Sequence, residues 1–411
     1  MRIRSITCFL DPTPATLPGT NHLVFEHIGE LARNAQVLYQ QAGYEVQSCR
    51  LATLPFQQYL LSREVSGAVR VAQLLERLAK EQGFAYLSIG PAQPETPFSY
   101  ETIPAILAET ESVFTSGVMA QPKEGVSLPA VRACARVIWK VGKLTSDGFA
   151  NLRFAALANV PAFSPFFPAA YHAGSRPAFA LAIECADEAY RVFRKANSLQ
   201  EARQELIDTL EQHAQTLSSL AVELVQNYNV DFRGLDFSLA PYPAEWCSLG
   251  ASIERLGLPA LGNAGSLAAA AFVADTLDRG NWRRAGFNGL MLPVLEDSAL
   301  AQRAAEGILT IKDLLMYSAV CGTGLDTIPL PGDTTEEQIS ALLVDISALA
   351  LRLNKPLTAR LMPIPGKSAG DPTSFNFDFF APSRVMALSA APLTGLLASD
   401  DSFSLRPRLG S

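Results

Sequence analysis

Short apolar runs of strand length alternate with amphipathic helical stretches along almost the whole chain, and few architectures accept that rhythm. Ile3–Leu10 reads as a first strand ended by Asp11, Pro12 and Pro14. His22–Ala42 is helical in period, Gly43 stops it, and Tyr44–Leu51 follows as a strand. Ala68–Gln82 carries an apolar stripe at Val71, Leu74, Leu75 and Leu78, and Gly83 leads into the apolar run Phe84–Ile89. Further strands are expected at Val113–Met119, Leu152–Ala158, Phe179–Glu184, Asp236–Ala240, Phe287–Pro293 and Leu357–Pro363. Helices are expected at 103–111, 128–141, 199–228, 248–256, 266–277, 299–306, 311–318 and 336–353. This order implies an α/β protein, a parallel sheet covered by helices. Some eight to ten strand–helix units suit either a barrel or a doubly wound sheet, and the handedness of crossovers does not choose between them.

No linker rich in Pro, Gly and Ser divides the chain, so residues 1–393 are expected to form a single domain and the polar 394–411 a tail. With 411 residues, 48% of them apolar, the chain can bury a large core. Charged residues make up only 18%, which implies an uncharged polar surface or one hidden in a homo-oligomer. A net charge of −7, with no basic block, argues against a nucleic-acid partner and an anionic membrane. The uncharged stretch 260–274 is too short and too weakly apolar to span a bilayer. Met1–Leu10 meets Asp11 too soon for a signal peptide, and six scattered cysteines with no C-x-x-C motif read as buried apolar residues. A cytoplasmic protein is expected.

Ligands of α/β proteins meet loops beyond strand ends, which shortens the list of candidate site residues. His172, in Tyr171–Arg176, has the pKa for acid–base work, or is a loop histidine bonded to backbone. Asp236 and Ser238 share one face of a strand, able to hold a ligand or to satisfy neighbouring N–H groups. Cys321 precedes a glycine-rich turn and is either a nucleophile or a packed thiol, with Asp326 and Asp333 nearby as turn caps or acidic ligands. Lys367 and Asp371 follow a buried strand, in a loop that lacks the phosphate-loop spacing, and suit an anionic or metal-bound ligand or a salt-bridged loop. Arg50 ends an early strand. Glu109 and Thr110 lie in an apolar helix, where a carboxylate needs a partner, and Arg50 is the candidate partner. Four histidines make a three-His metal site improbable.

Several of these strings together carry a resemblance. I-P-A-I-L-A-E-T, F-A-A-L-A, the Y-H-A-G segment, D-F-S-L-A-P-Y-P, V-C-G-T-G-L-D-x-I-P-L-P-G-D and P-I-P-G-K-S-A-G-D occur in an order that resembles the family catalogued as domain of unknown function 711 (DUF711, UPF0210). The resemblance implies a ten-stranded α/β barrel like that of pyruvate formate-lyase and its glycyl-radical relatives. It does not imply their chemistry. Residues 393–411 hold only Gly395 and Gly410 and no arginine-valine-x-glycine sequence, so no glycyl radical is expected. Against the family pattern, Glu184 and Asp187 stand where relatives have a glycine-rich stretch, and Glu245, Trp246 and Cys247 where they have small residues. These are expected near the cavity.

The leading reading is a non-radical enzyme acting on a small polar or anionic metabolite. Asp236, Glu109 and His172 would handle protons or a divalent metal, Arg50 and Lys367 would balance substrate charge, and Cys321 would be a lower-ranked nucleophile. Lyase, isomerase and hydrolase chemistry are not distinguished. A non-catalytic small-molecule sensor and a structural oligomer subunit are the alternatives, the last motivated by the apolar loop around Phe163–Tyr171.

Overall fold

The computed structural model describes residues 1–13, 22–60 and 63–407. Among them, eleven strands form one mixed sheet within an α/β fold. The strands β1 (Arg2–Leu10), β2 (Cys49–Thr53), β3 (Tyr86–Ala92) and β4 (Val113–Gln121) run parallel. The short β5 (Gly125–Ser127) folds back on β4, whose other neighbour is the parallel β6 (Phe154–Ala158). A second set runs the opposite way: β7 (Ala178–Glu184) is antiparallel to β1 and parallel to β8 (Asp231–Ala240). At the far edge β9 (Gly324–Pro331) lies parallel to β10 (Leu357–Ile364), which meets β6 antiparallel. The order is β8-β7-β1-β2-β3-β4-β6-β10-β9. The expectation of an all-parallel sheet is therefore corrected at two seams. In the tail, β11 (Ser402–Phe403) pairs with β5.

The sheet's edges, β8 and β9, both bond to the stretch 283–294. Leu235 donates its N–H to the Arg283 carbonyl at 2.8 Å, and Met291 donates to Ser238 at 3.0 Å. On the other side, Val294 donates to Asp326 at 3.0 Å. The run Phe287–Pro293, expected as a strand, is irregular chain: of these bonds it makes the one from Met291, and the wider stretch forms isolated parallel bridges at Leu235–Arg284 and Pro293–Asp326.

Eleven helices cover the outside among the described residues: α1 (Leu23–Gln41), α2 (Val65–Glu81), α3 (Phe98–Ala108), α4 (Leu128–Val141), α5 (Ala186–Lys195), α6 (Leu199–Tyr228), α7 (Leu249–Glu254), α8 (Ser266–Arg279), α9 (Ser298–Ala305), α10 (Ile311–Ser318) and α11 (Glu336–Arg352). Their starts follow from side chains that accept otherwise orphaned N–H groups. Ser127, Ser198, Ser248 and Asp297 cap α4, α6, α7 and α9. Thr310 with Asp313 and Thr335 with Gln338 form capping boxes on α10 and α11. No helix among the described residues is long and apolar enough to cross a membrane.

Strand alternation sorts side chains between two faces. In β7, Phe179, Leu181 and Ile183 join the large core beneath the helices. Ala178, Ala180 and Ala182 face the other way, in the small inner clusters. Their small size leaves room on the inner face for residues 163–172. There Phe166 and Phe167 are buried, Pro165 O accepts from Thr7 Oγ1 at 2.7 Å, and Ala170 O accepts from Ser88 Oγ at 2.7 Å. The apolar loop that motivated an oligomer is thus largely consumed inside the chain's own fold.

Asp236 joins the stretch 283–294 to β8. Its carboxylate accepts the N–H groups of Phe287 at 2.7 Å and Asn288 at 2.9 Å, and the Ser238 hydroxyl. Asn288 in turn accepts from Trp282 Nε1 at 2.8 Å and Phe237 N at 3.2 Å. Gly286, at φ +75°, passes so close that a Cβ there would lie 2.2 Å from Asp236 Oδ2. Asp236→Ala strands two buried N–H groups at about 1–3 kcal/mol each. It is expected to lower the unfolding free energy by ~3 kcal/mol, read as a drop in the urea midpoint; a change below about 1 kcal/mol refutes the role assigned to this carboxylate.

Candidate functional site

Between β1, β2 and β3 on one side and β8, β9 and β10 on the other lies a cavity of about 200 Å³. Its polar wall is Arg4, Gln47, Ser48, Arg50, Glu296, Asp326 and Arg360. Tyr86, Phe114, Phe166, Phe167, Phe377 and Phe379 supply its aromatic wall.

The backbone explains how these ions reach the interior. Strand pairing slips at Arg4, between the Ile3–Ile183 and Ser5–Ala182 pairs, so Arg4 is an extra residue on β1. It slips again opposite Arg360, where Asp326 and Thr327 fill the step from Leu325 to Ile328, with Thr327 at φ +45°. A third slip opposes Glu184 to Ala240, beside Leu239 at φ +43°. Glu296 is held by its neighbour: Asp297 caps α9 through Ala299 N at 2.9 Å and Leu300 N at 3.1 Å, and accepts Gly250 N at 3.0 Å.

These groups form one connected lattice. Glu296 bridges Arg4 and Arg360, the latter at 2.6 Å. Arg360 also holds Asp326 through Nε and, at 3.0 Å, through an NH2 group. Arg4 reaches Glu184 at 3.1 Å, and Glu184 also binds Arg2. Burial works against the charge on Glu296, yet Arg360 and Arg4 outweigh it and hold its carboxyl below the usual range. Burial raises the Asp326 carboxyl, which Arg360 only partly offsets while Glu296 adds to the rise. One arginine therefore holds two carboxyls with opposed proton affinities.

Arg50 stands apart. Among the described residues no carboxylate is within salt-bridge reach of it. Its Nε donates to Ser48 Oγ at 3.0 Å, and its guanidinium lies 5.4 Å from the ring centres of both Tyr86 and Phe167. Burial, then repulsion from Arg4, lower its pKa to about 9, so it is still charged at neutral pH.

The other sequence candidates are dispersed. Glu109 is exposed at the C-terminal end of α3 and does not pair with Arg50; Thr110 is buried and donates to Ile106 O at 2.7 Å. Lys367 and Asp371 sit in the loop after β10 without an ion pair between them, Asp371 accepting Ser368 N at 2.7 Å. Cys321 is fully buried ahead of β9. Ser238 and Asp236 belong to the backbone junction described above, where burial pushes the Asp236 carboxyl up to about 6 against its hydrogen bonds. Trp246, 53% exposed, and Glu245, paired with Arg255, lie on the surface rather than at the cavity; of the departures from the family pattern, Glu184 is the one that enters the ion lattice. Among the described residues no group of three His, Cys, Asp or Glu is placed to hold a metal ion.

Arg4, Glu296 and Arg360 were missed by sequence reasoning. Arg360 offered a signal, as a lone charge inside the apolar strand Leu357–Ile364, where a charge needs a partner. Glu296, beside the helix cap Asp297, offered none.

His172 lies on the inner loop, fully buried, edge-on to Phe163, and its N–H donates to Thr53 O at 2.9 Å. The Gly174 backbone approaches the ring without completing a hydrogen bond, and among the described residues neither ring nitrogen has a partner. Burial lowers its pKa from 6.5 to about 4. Between those values the unfolded chain binds a proton that the folded one rejects, so stability rises with pH across this window. Lowering the pH from 7 to 4 is expected to cost the protein ~3 kcal/mol more than it costs His172→Leu. Parallel acid limbs in thermal unfolding of the two proteins would contradict this.

Comparison with known proteins places the chain. The model of the family described as "Uncharacterised ACR (DUF711)" matches residues 1–378. A "UPF0210 protein" of Pyrobaculum arsenaticum is 31% identical over 392 residues, covering 90% of this chain and 86% of the relative. Relatives of the same name from Acetivibrio thermocellus and Oenococcus oeni are 28% and 26% identical, each covering 91% of this chain and 88% and 87% of the relative. The chain belongs to the DUF711 family.

Proposed function

We propose that the sheet closes through the stretch 283–294 into a ten-stranded barrel of the pyruvate formate-lyase type, five parallel strands facing five. In this reading the enclosed cavity binds a small anionic metabolite and acts on it by acid–base rather than radical chemistry. The closure is supported by backbone bonds from that stretch to both sheet edges and by the Arg4–Glu296–Arg360 pairs reaching across the interior.

The observation that carries the ligand class is Arg50. A guanidinium facing a cavity without a carboxylate partner is a site for a ligand's negative charge. Beside it, Asp326 has the raised proton affinity that a general acid needs, and Glu296 stays ionised. Asp236 and His172 support the inner wall in this reading rather than meeting the ligand. A binding protein without catalysis is the second reading, favoured by Arg360 holding both carboxylates of the cavity.

Native mass spectrometry and metal analysis of the purified protein test the reading. The expected result is a retained anion at one per chain, lost in Arg50→Gln. Asp326→Asn is expected to abolish conversion of that molecule by about 100-fold or more if the protein is an enzyme. Unchanged product formation in Asp326→Asn removes its acid–base role, and retention of the anion by Arg50→Gln removes the assigned counter-charge.

A further inference from the structure

The proposed anion site also constrains what the anion looks like. We infer that its ligand is a monocarboxylate with a flat apolar body and a hydrogen-bond donor next to the carboxylate; this rests on the reading of Arg50 as the ligand's counter-charge.

The first argument is charge. Following the ion pairs outward, Arg2, Arg4 and Arg360 share Glu184, Glu296 and Asp326. Arg50 is the fourth guanidinium, and the interior supplies no fourth carboxylate among the described residues. Arg2 additionally touches Glu45, whose side chain is largely exposed and contributes little. Counted with Asp326 ionised, the state before it takes up a proton, one negative charge therefore balances the lattice. A phosphate or dicarboxylate would set a second negative charge beside Glu296 and Asp326, away from water, where an uncompensated charge is costly.

The second argument is shape. Tyr86 and Phe167 flank Arg50, and Phe114 meets both edge-on, with ring centres 5.2 and 5.5 Å apart. A flat apolar body laid on these rings gains stacking and edge contacts, and keeps the carboxylate in reach of the guanidinium edge that Ser48 leaves free. The cavity, at about 200 Å³, is smaller than the ~300–1,000 Å³ of sites for drug-sized ligands, so the body is one ring or its equivalent.

The third argument is an unmade bond. Gln47 lines the same cavity, and its buried side-chain carbonyl oxygen has no hydrogen-bond partner among the described residues. A buried acceptor left unpaired costs free energy, and a turn of the Gln47 side chain toward the cavity would let a ligand hydroxyl or amine near the carboxylate satisfy it.

Titration calorimetry with four probes tests the inference: mandelate, phenylacetate, malate and inorganic phosphate. The expected result is that mandelate and phenylacetate bind at least about tenfold more tightly than malate and phosphate. Mandelate's advantage over phenylacetate should vanish in Gln47→Leu. Both aryl acids should lose binding in Arg50→Gln, and Arg50→Lys should retain part of it, which separates lost charge from a misfolded variant. Tighter, Arg50-dependent binding of malate or phosphate overturns the inference and leaves the anion site standing. Aryl acid binding that survives Arg50→Gln overturns both. No binding of any probe to the unaltered protein at millimolar concentration overturns the inference.

Discussion

Glu296, shared between Arg4 and Arg360, is the contact on which the interior is arranged. It ties the first strand to the last long one through a residue that belongs to neither. Buried ion pairs are a poor source of stability, because taking each charge out of water costs several kcal/mol that the pairing only roughly recovers. Apolar residues of the same volume would hold these strands as well or better. Here the backbone departs from regular pairing at Arg4, at Asp326–Thr327 and opposite Glu184 to bring charges inward. Two of these irregularities deliver ions to the hollow itself, and the third delivers Glu184, which pairs with Arg4 behind it; that pattern points to use of those ions, beyond cohesion of the sheet.

The interior divides into two parts with different chemistry. One part is filled by the loop 163–172, whose carbonyls take the hydroxyls of Thr7 and Ser88 and whose rings press on alanines of β7. Asp236 belongs to this filled part in function if not in position, since Ser238 and two backbone N–H groups engage both its oxygens. The other part keeps a hollow, with arginines on one wall and rings on another. Phe166 and Phe167 form the boundary, lining the hollow from one side while anchoring the loop on the other. A buried carboxylate alone is thus no guide to a site. What separates Asp236 from Asp326 is whether its lone pairs meet backbone N–H groups and a hydroxyl or the guanidinium of Arg360.

Much of the layering was legible in the sequence, because the outer helices and the strands under them follow simple periods. The helices from Leu128, Leu199 and Glu336 begin as the sequence reading expects, and the apolar runs Val113–Met119 and Phe179–Glu184 are strands. β9 was not legible: Gly324, Pro329 and Pro331 read as turn residues, yet the strand pairs at an edge where proline leaves little unpaired. The direction of strands was not legible either, since a buried apolar run looks the same parallel or antiparallel. Site residues suffered most from bulges. A side chain's face follows from alternation only while alternation holds, and the missed Arg4 and Arg360 sit where it breaks, as do Asp326 and Glu184, which the sequence did offer as an acidic ligand and as a residue near the cavity. Glu109 failed for the opposite reason: apolar residues run right up to it, yet burial in the helix stops at Leu107 and it lies exposed at the end of α3.

The hollow's electrostatics bear on whether it binds or also reacts. Glu296 and Asp326 share Arg360, yet their proton affinities move apart: both are desolvated, but Glu296 pairs directly with a second arginine, Arg4, which acts on Asp326 only from a distance, and Glu296 itself repels the Asp326 charge. Two carboxyls with separated affinities are the usual arrangement by which one site holds a proton and a fixed negative charge at once. A ligand anion seated on Arg50 adds negative charge nearby and raises the affinity of Asp326 for a proton further. In the proposed reading, binding then loads the acid that a reaction would use, while the same anion neutralises Arg50, which no carboxylate among the described residues pairs. Under the proposed reading that coupling serves a catalyst whose acid must be protonated only when substrate is present, whereas a pure receptor gains nothing from it.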